Sequence, residues 1–576
     1  MKYQLVNENF TNNYIEQLVK TYGANANHLL NPTFEDLEPP TNLDHIEEGA
    51  QLLDAVLKKD GKIVFIVDCD TDGYVSSSAL WLYIKRIYPN AQLHYLIHTA
   101  KQHGLSDVID EIVEGSGAID LVICPDSSSN DEEQHLILDE CGVPVLVLDH
   151  HLQDAPSHSS AIIINNQTSP RYTNKELTGA GVVYQFCRYL DQMYNVNYAD
   201  DYMDLVSLGI IADMGKVSEP ENAYIIKKGL AQEQKNFLIQ AFLDKQAYSI
   251  GSRINSISIA FYVTPLINAL IRVGTMEEKE NLFLAFINGK QQVPSTKRGE
   301  KGLMECLAVQ VVRNCTNARV HQNKELDNFL EQIDFRIKDS HLATDQLLVI
   351  ELEEDDDLNP TLNGLLAMKC CACYGKPTLV VRAGSEGISR GSLRGVNNSK
   401  MESLKEYLES TGLCEYCAGH ALAAGCGIKT SNIQHLVARA NQELLQYDFG
   451  TTYYKVNFER WANAEDLQDI IEDVDKYHAI YGQGCPEPLI AVKGILFSKD
   501  KIQVMGSNKD TLKITYNGIA YMMFRAKELI NKIYDFPTNI IALDIVGRAN
   551  LNEWRGVYTP QIFIDDYNIY DDSLTF

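Results

Sequence analysis

The sequence shows no long hydrophobic run, no recognisable secretory signal and no internal repeat. No apolar stretch in its 576 residues approaches the ~18 residues that a membrane-spanning helix requires. The first residues, MKYQLVNENFTNNYIEQL, carry no basic flank, no apolar stretch and no small-residue cleavage site, so they do not resemble a secretory signal. We therefore expect a cytoplasmic protein without a membrane partner.

Positive charge is also scarce. Fifty lysines and arginines stand against 78 aspartates and glutamates, which gives a net charge of −28. Such a charge repels phosphate backbones and excludes a protein that binds nucleic acid by bulk charge alone. A phosphoester substrate requires bound cations and a local basic patch at one site. The 13 cysteines are an odd number spread over a long chain, which argues against a secreted disulfide framework.

What the sequence does contain is a series of short apolar runs in its first half. KIVFIV (62–67), LVIC (121–124) and VPVLVL (143–148) show no alternation of apolar and polar residues, and helix-length segments separate them. This pattern predicts a parallel sheet that is covered on both faces. We interpret the run LVSLGIIA (205–212) as a further strand of the same kind.

Acidic and imidazole side chains follow the ends of these four runs: Asp68, Asp70, Asp72, Asp126, Asp149, His150, His151 and Asp213. Because sites form at the carboxyl ends of parallel strands, we expect these side chains to converge. Crowded carboxylates raise one another's pKa unless cations compensate, and a mixed set of carboxylates and imidazole suits Mn²⁺ or Mg²⁺. Two such ions about 3.5–4 Å apart would clamp an in-line displacement at phosphorus. The pattern indicates a two-metal phosphoesterase, and its alternative is a set of unrelated turn carboxylates.

The rest of the chain predicts further domains, as expected for a length several times that of one domain. Residues 225–345 have a mostly helical pattern. A helix-like stretch (362–374), a strand (378–382) and the Gly-rich segment GISRGSLRGV (387–396), interpreted as a loop, indicate a smaller α/β domain that ends near residue 430. From about residue 451, short strands with turn signals predict a small barrel or sandwich.

Several motifs follow one another in the order of a known family. In chain order they are D-x-D-x-D-G at 68–73, an isolated aspartate at 126, D-H-H at 149–151, an aspartate at 213, AGHALAAG at 418–425 in place of G-G-H-x-x-A-A-G, and YGQGCPEPL at 481–489. On these motifs the chain resembles the DHH phosphoesterase superfamily, and within it the RecJ branch of single-strand-specific 5′→3′ DNA exonucleases.

The resemblance implies an α/β fold with five segments. They are an N-terminal segment (1–55), a parallel-sheet DHH phosphoesterase domain (56–235), a helical connector (236–340), a smaller α/β DHHA1-like substrate-binding domain (341–432) and a β-rich, OB-like nucleic-acid-binding domain (433–576). It also implies hydrolysis of single-stranded DNA from the 5′ end to mononucleotides, in DNA recombination, repair or replication. The implied cofactors are two divalent cations, Mn²⁺ or Mg²⁺. The implied partners are single-stranded DNA and a helicase or a single-strand-binding protein.

The resemblance assigns roles to individual residues. The implied metal ligands are Asp70, Asp72, Asp126, His150 and Asp213, with Asp68 at the metal edge. Asp126 and Asp213 would be shared between the ions, Asp149 would orient an imidazole, and His151 would hydrogen-bond the scissile phosphate. The implied substrate-binding residues are Ser389, Arg390, Ser392 and Arg394, with His420, Asn268 and Arg272.

The chain departs from the family at one phosphate contact. The family carries an arginine for the terminal phosphate in a segment that corresponds to YLIHTAKQHGL (95–105), where this chain has none. His98, Lys101 and His103 are the candidates to replace it.

Two other functions and a second metal site stay open. The chain resembles, more distantly, DHH enzymes that cleave short oligonucleotides or cyclic dinucleotides, and a non-catalytic replication partner of the same fold. The OB-like region argues against the former, and the retained ligands argue against the latter. Cys370, Cys373, Cys414 and Cys417 form two C-x-x-C pairs that offer a four-thiolate zinc site, or else are free cysteines in an apolar setting.

Overall fold

The fold is given by a computed structural model, which describes residues 1–6, 10–21, 26–99, 102–251, 253–300, 302–353, 356–384 and 387–571, and only the backbone of Trp554. The chain forms two compact units. The first, here called the parallel-sheet unit, comprises Val19–Gln322 and His478–Pro486. The second, here called the mixed-sheet unit, comprises Met1–Leu18, Asn323–Tyr477 and the residues from Glu487 onward.

The strands among the described residues are β1 (Lys2–Leu5), β2 (Lys62–Val67), β3 (Gln92–Ile97), β4 (Leu121–Pro125), β5 (Val145–Asp149), β6 (Ile162–Asn165), β7 (Gln292–Pro294), β8 (Met304–Cys306), β9 (Leu348–Leu352), β10 (Thr378–Ala383), β11 (Ile388–Arg394), β12 (Cys414–His420), β13 (Ala423–Lys429), β14 (Tyr453–Val456), β15 (Phe458–Trp461), β16 (Leu489–Ser498), β17 (Gln503–Met505), β18 (Thr511–Tyr516), β19 (Ile519–Met523), β20 (Ile540–Trp554) and β21 (Val557–Asp571).

The α-helices in the same part of the chain are α1 (Tyr14–Lys20), α2 (Ala26–Leu30), α3 (Ile46–Leu57), α4 (Thr71–Ile87), α5 (Ile109–Gly115), α6 (Glu132–Glu140), α7 (Gly179–Tyr194), α8 (Met203–Ala212), α9 (Pro220–Ala231), α10 (Phe237–Ile250), α11 (Ser256–Tyr262), α12 (Thr264–Val273), α13 (Met276–Asn288), α14 (Leu307–Asp339), α15 (Asn363–Tyr374), α16 (Leu404–Thr411), α17 (Ile433–Glu443), α18 (Leu467–Lys476) and α19 (Lys527–Asp535).

The parallel-sheet unit is built on the predicted sheet. Its five strands run parallel in the order β3-β2-β4-β5-β6. Every residue of β4 and β5 is buried, because helices cover both faces, and this burial explains why the apolar runs do not alternate. The fold class predicted for this region is confirmed.

The interpretation of LVSLGIIA as a strand is wrong. Those residues belong to helix α8, which ends at Ala212, and Asp213 is its C-terminal cap. All residues of α8 from Met203 to Ile211 are buried, so no polar face marks the helical period, and an apolar run of this length is read equally well as a strand. The first helix after β2 starts at Thr71, within the D-x-D-x-D-G motif.

The mixed-sheet unit contains a smaller α/β sheet in the order β12-β13-β11-β10-β9. The interpretation of the Gly-rich segment as a loop is wrong, because Ile388–Arg394 is the strand β11, paired with both β10 and β13. Glycine is needed inside this strand, since a Cβ at Gly391 would lie 1.8 Å from the carbonyl oxygen of Val380. Gly391 therefore serves close strand packing and not a turn.

A second sheet of the mixed-sheet unit confirms the β-rich C-terminal region. Seven strands lie in the order β15-β16-β20-β21-β19-β18-β17, and the antiparallel pair β20 and β21 has 15 residues in each strand. The N-terminal strand β1 pairs in parallel with β14 of the same unit.

One helical stretch is longer and more apolar than the sequence reading allowed. Residues 256–273 (α11 and α12) have a mean hydropathy of 1.5 over 18 residues, enough by length and composition for a membrane span. More than half of this stretch, 56%, is buried inside the protein.

Candidate metal centre

Four chain segments bring the predicted ligands to one edge of the parallel sheet. Asp68 to Asp72 follow β2, Asp126 follows β4, and the D-H-H motif begins at the last residue of β5. Asp213 reaches the same place from the end of α8. The donor atoms form three compact groups within 4.8 Å: Asp68, Asp70 and Asp126; Asp72, His150 and Asp213; and Asp126, Asp149, His150 and His151.

The first motif is held by a tight turn into α4. Asp70 caps this helix and accepts a hydrogen bond from the backbone N–H of Gly73 at 3.1 Å. A Cβ at Gly73 would lie 2.5 Å from Cβ of Asp68, so only glycine lets the helix begin this close to the strand end. The turn therefore places Asp68, Asp70 and Asp72 side by side.

Two buried carboxylate oxygens in the centre lack a hydrogen-bond partner. Oδ1 of Asp72 accepts from the backbone N–H of Ala180 at 3.2 Å, whereas its Oδ2 has no partner. Oδ1 of Asp126 is also unpartnered, although Nε2 of His150 lies 3.2 Å away. The same His150 nitrogen lies 3.4 Å from Oδ2 of Asp213. An unsatisfied buried carboxylate oxygen is costly, and a cation between these groups would remove that cost.

The backbone of Asp126 is in the left-handed region, with a φ of 68°. Aspartate and asparagine tolerate this conformation better than most residues. The backbone N–H of Asp126 donates to the carbonyl of Leu148 at 2.8 Å, which ties the turn to β5. The turn thus aims the Asp126 side chain across the strand ends.

The D-H-H motif consists of a positioning carboxylate, Asp149, and two imidazole rings, His150 and His151. Oδ1 of Asp149 accepts from the backbone N–H groups of His150 (2.7 Å) and His151 (3.2 Å) and lies 2.8 Å from Nδ1 of His151. Its Oδ2 accepts from the backbone N–H of Ser129 at 3.0 Å. Asp149 is thus occupied by the loop itself, which leaves the second nitrogen of His151 directed away from it.

The pKa shifts of the side chains in the centre indicate that added positive charge would stabilise its ionised carboxylates. Burial and the charge of Asp70 raise the pKa of Asp72 to about 7, and burial raises the pKa of Asp213 to about 7 against the opposing charge of His150. Burial, then the charge of Asp72, raises the pKa of Asp126 well above its usual value. Burial and the charge of His151 lower the pKa of His150, which favours a neutral ring with a lone pair to donate.

The donor set fits hard divalent cations. Carboxylate oxygens and one imidazole nitrogen are ligands that Mn²⁺ and Mg²⁺ accept, and the unpartnered oxygens of Asp72 and Asp126 lie where such ions would bind. Asp70, Asp72, Asp126, His150 and Asp213 are the residues that would hold them.

Comparison with known proteins agrees with this geometry. The family description "DHH family, N-terminal domain" matches residues 62–210, and "RecJ OB domain" matches residues 462–566. The chain is 33% identical to the putative SPbeta prophage-derived single-strand DNA-specific exonuclease YorK of Bacillus subtilis (strain 168), over 99% of this chain and 98% of that protein. The chain belongs to the RecJ branch of the DHH family.

More distant RecJ proteins share the fold. The single-stranded-DNA-specific exonuclease RecJ of Bacillus subtilis (strain 168) is 22% identical over 92% of this chain and 64% of its own length. The crystal structure of RecJ in complex with Mn²⁺ from Thermus thermophilus superposes with a TM-score of 0.69 at 21% identity, over 94% of this chain and 73% of that one. This RecJ-type chain therefore has the same overall architecture.

Two residues predicted to contact the DNA strand in this RecJ-type chain, Asn268 and Arg272, lie on α12. Asn268 accepts a hydrogen bond from the hydroxyl of Thr71 at 2.8 Å, so it lies next to the first motif. Arg272 is in the last turn of the same helix and partly exposed. Their part in substrate binding stays a prediction.

The predicted phosphate-binding residues of the smaller α/β domain divide between two faces of β11. Arg390, Ser392 and Arg394 alternate onto one face. Ser389 points to the other, is buried, and its hydroxyl lies 2.8 Å from that of Thr430. His420 is exposed at the end of β12. The structure thus brings three of these five side chains together and separates Ser389 from them.

The three residues that could replace the family's arginine for the terminal phosphate differ in burial and contacts. His98 is buried and its Nδ1 lies 2.7 Å from Oδ1 of Asp107, so it does not reach a substrate from this position. His103 is half-exposed, with Nδ1 2.6 Å from Oδ2 of Asp68. Lys101 lies outside the described residues.

The four cysteines of the alternative zinc site do not form a common donor group, although all four are described. Cys370 is buried in α15 and Cys373 is exposed, whereas Cys414 and Cys417 pack against the core from β12. A four-thiolate site is not present in this arrangement.

The sequence reading missed the glycines that pack against the carboxylates. A Cβ at Gly179 would lie 2.2 Å from Oδ1 of Asp126, and one at Gly209 would lie 2.2 Å from Oδ1 of Asp72. Gly179 is the first residue of α7, and Gly209 lies within α8; both helices face the centre. For Gly209 a signal was present, since an isolated glycine inside the apolar run LVSLGIIA, interpreted as a strand, indicates a close approach of another segment.

Proposed function

We propose that this chain hydrolyses single-stranded DNA from its 5′ end to mononucleotides, with two divalent cations, Mn²⁺ or Mg²⁺. The observation that carries the proposal is the pair of buried, unpartnered oxygens on Asp72 and Asp126 beside Nε2 of His150. The relatives named as single-strand DNA-specific exonucleases support the substrate, and the RecJ structures in complex with Mn²⁺ and with Mg²⁺ support the cations.

The side chains suggest two ion positions. Asp68, Asp70 and Asp126 would hold one ion, with Asp68 at its edge, and Asp72, His150 and Asp213 would hold the other. Asp126 also belongs to the group that contains His150, so it lies between the two positions and is the carboxylate suited to bridge them. When bound, the ions supply an activated water at neutral pH and neutralise charge on the phosphoryl oxygens.

His151 is suited to hold the scissile phosphate. Burial alone would lower its pKa, but the hydrogen bond to Asp149 raises the pKa to about 9, so the ring is cationic at neutral pH. With Nδ1 engaged by Asp149, Nε2 is left to donate a hydrogen bond to a phosphate oxygen, where it stabilises the charge that develops during the displacement. Asp149 orients the ring and does not react.

The β-rich region supports a strand and not a small molecule as substrate. Domains of this type bind single strands through a groove with stacking aromatic rings. Phe524 is largely exposed and stacks on Phe563, with ring centroids 5.5 Å apart, whereas Tyr521 is buried in the core. A cytoplasmic location and work beside a helicase or a single-strand-binding protein are consistent with this role.

A labelled-strand assay tests the proposed function. The chain is incubated with Mn²⁺ and with 5′-labelled or 3′-labelled single strands, duplexes and dinucleotides. We expect mononucleotides from the 5′ end of single strands only, and no product after chelation of the metal. Release from the 3′ end, cleavage of dinucleotides alone, or no turnover with either metal would each overturn the proposal.

Arg390→Ala should weaken binding of single-stranded DNA without affecting stability. Arg390 is exposed on the face of β11 that also carries Ser392 and Arg394, so its loss removes one phosphate contact and no packing. We expect the dependence of log affinity on log salt to fall by about one unit. The measurement is fluorescence anisotropy of a labelled oligonucleotide in Ca²⁺ at several salt concentrations.

The matched control is Arg439→Ala. Its guanidinium pairs with Glu443 at 2.8 Å within α17, so it has a local partner and should leave DNA affinity unchanged. Equal affinity and an equal salt slope for the Arg390 variant and the unmodified chain would remove Arg390 from the strand path.

A further inference from the structure

A second group of metal-binding side chains lies on the other side of Asp68. Sγ of Cys69 is 3.8 Å from Nδ1 and 3.7 Å from Nε2 of His103, and Nδ1 of His103 is 2.6 Å from Oδ2 of Asp68. Donor atoms of these three residues all lie within 4.8 Å of one another. The proposed phosphodiester chemistry uses neither the thiol nor this ring.

His98 provides an independent indication of a bound ion. This histidine is 2% exposed, and its Nε2 has no hydrogen-bond partner. That nitrogen lies 3.9 Å from Oδ1 of Asp68, while Nδ1 on the other side of the ring lies 2.7 Å from Oδ1 of Asp107. A carboxylate that holds one ring nitrogen and leaves the other directed at a cluster of donors is the usual arrangement behind a metal-binding histidine.

We propose that Asp68, Cys69, His98 and His103 bind one zinc-type ion, which is additional to the Mn²⁺ or Mg²⁺ centre and shares Asp68 with it. One thiolate, imidazoles and one carboxylate are donor types that suit zinc, whereas the neighbouring centre offers oxygens and a single imidazole. The mutually close donors are those of Asp68, Cys69 and His103, and His98 approaches this group at Asp68, so its ring has to move toward the ion to complete a tetrahedral set. With Zn–S about 2.3 Å and Zn–N about 2.0–2.1 Å, the tetrahedral S–N edge is about 3.6 Å, close to the observed 3.8 Å between Sγ of Cys69 and Nδ1 of His103, the nitrogen that faces Asp68.

The charges of the site balance when the ion binds. The Cys69 thiol and the His103 ring, which is protonated where it pairs with Asp68, each release one proton to solvent, so that one thiolate and one carboxylate neutralise the divalent ion and both rings are neutral. The ion then takes the place of the hydrogen bond between His103 and Asp68. It fastens the segment that follows β3, which carries His98 and His103, to the end of β2, and it sets the orientation of Asp68 beside the proposed catalytic ions.

Cobalt spectroscopy of the full chain tests this site. Co²⁺ bound by a thiolate has a charge-transfer absorption in the near ultraviolet that oxygen and imidazole ligands do not produce. We expect this band at one equivalent of Co²⁺, its displacement by Zn²⁺, and one zinc per chain after dialysis against Mg²⁺. Cys69→Ser should remove the band and the retained zinc, and Asp107→Asn should weaken zinc binding about 10–100-fold.

The controls separate this site from other thiols and from the catalytic centre. Cys141→Ser removes an exposed thiol elsewhere in the parallel-sheet unit and should leave the band intact. If Cys69→Ser does not fold, His98→Gln provides the same test through the zinc content and the d–d spectrum. Absence of the band in the unmodified chain, or its persistence in the Cys69 variant, would overturn the proposal and would leave the exonuclease assignment unaffected.

Discussion

Replacing Asp126 with asparagine should lower the turnover of single-stranded DNA by about 10³-fold or more, because several kcal/mol of charge stabilisation by bound cations depend on this carboxylate. Asp126 is buried at the end of β4 and belongs to two of the three donor groups of the metal centre. Asparagine keeps the size of the side chain and tolerates the left-handed backbone, with its φ of 68°. It removes the charge that both ion positions need.

The loss should appear in catalysis and cation binding, not in folding. Single-turnover rates with Mn²⁺ and calorimetric Mn²⁺ titrations would measure it, and thermal unfolding in chelator would test the fold. Because the ion-free centre crowds like charges, we expect the variant to be at least as stable as the unmodified chain without metal. Asp110→Asn, on exposed helix α5, is the matched control. A near-normal rate for the Asp126 variant would show that Asp126 is not a ligand.

Gly209→Ala should disturb the metal centre by displacing Asp72, although it replaces no ligand. The added Cβ would lie 2.2 Å from Oδ1 of Asp72 and 2.6 Å from Cβ of Ala180. Alanine in a helix is favoured over glycine by about 1 kcal/mol, so steric conflict must exceed this gain for the variant to lose stability. Overpacking in a buried site costs about 1–3 kcal/mol, and we therefore expect a net loss of stability.

Displacement of the Asp72 carboxylate should also weaken the binding of the cations. Loss of the groups that position a metal ligand costs about 10–100-fold in metal affinity, and we expect a Mn²⁺ titration of Gly209→Ala to fall in that range. Gly117→Ala is the control, since a Cβ there meets nothing within 4 Å. Normal Mn²⁺ affinity in the Gly209 variant would mean that α8 moves away without disturbing Asp72, and would contradict the close packing described above.

The sequence predicted the parallel sheet well and one element of the site poorly. KIVFIV coincides with β2 because an apolar run buried on both faces has sharp ends. LVSLGIIA was assigned to a strand because a helix surrounded by protein loses its polar face, and only the contacts of α8 reveal the helical period. Strand β11 was missed for a different reason: its segment is rich in glycine, and the need for Gly391 is explained by a neighbouring strand and not by the local sequence.

The local chemistry of the candidate site was predictable, whereas its packing was not. The order of the motifs indicated the family, which the comparisons confirm. The individual roles of the ligands and the domain boundaries stay predictions. The distance between His98 and Asp68 could not be predicted, because 30 residues separate them along the chain and only the pairing of β2 with β3 brings the strand ends together.

By itself, the sequence determined which donors are available, the net acidity that makes cations necessary, and the strand ends from which the donors project. Tertiary structure alone decided that Asp213 arrives from a helix, that Ser389 faces away from Arg390, and that two carboxylate oxygens lack partners. The physical reason is that side-chain chemistry is a local property of the chain. Burial, by contrast, and the distances between donors depend on segments that meet only after folding.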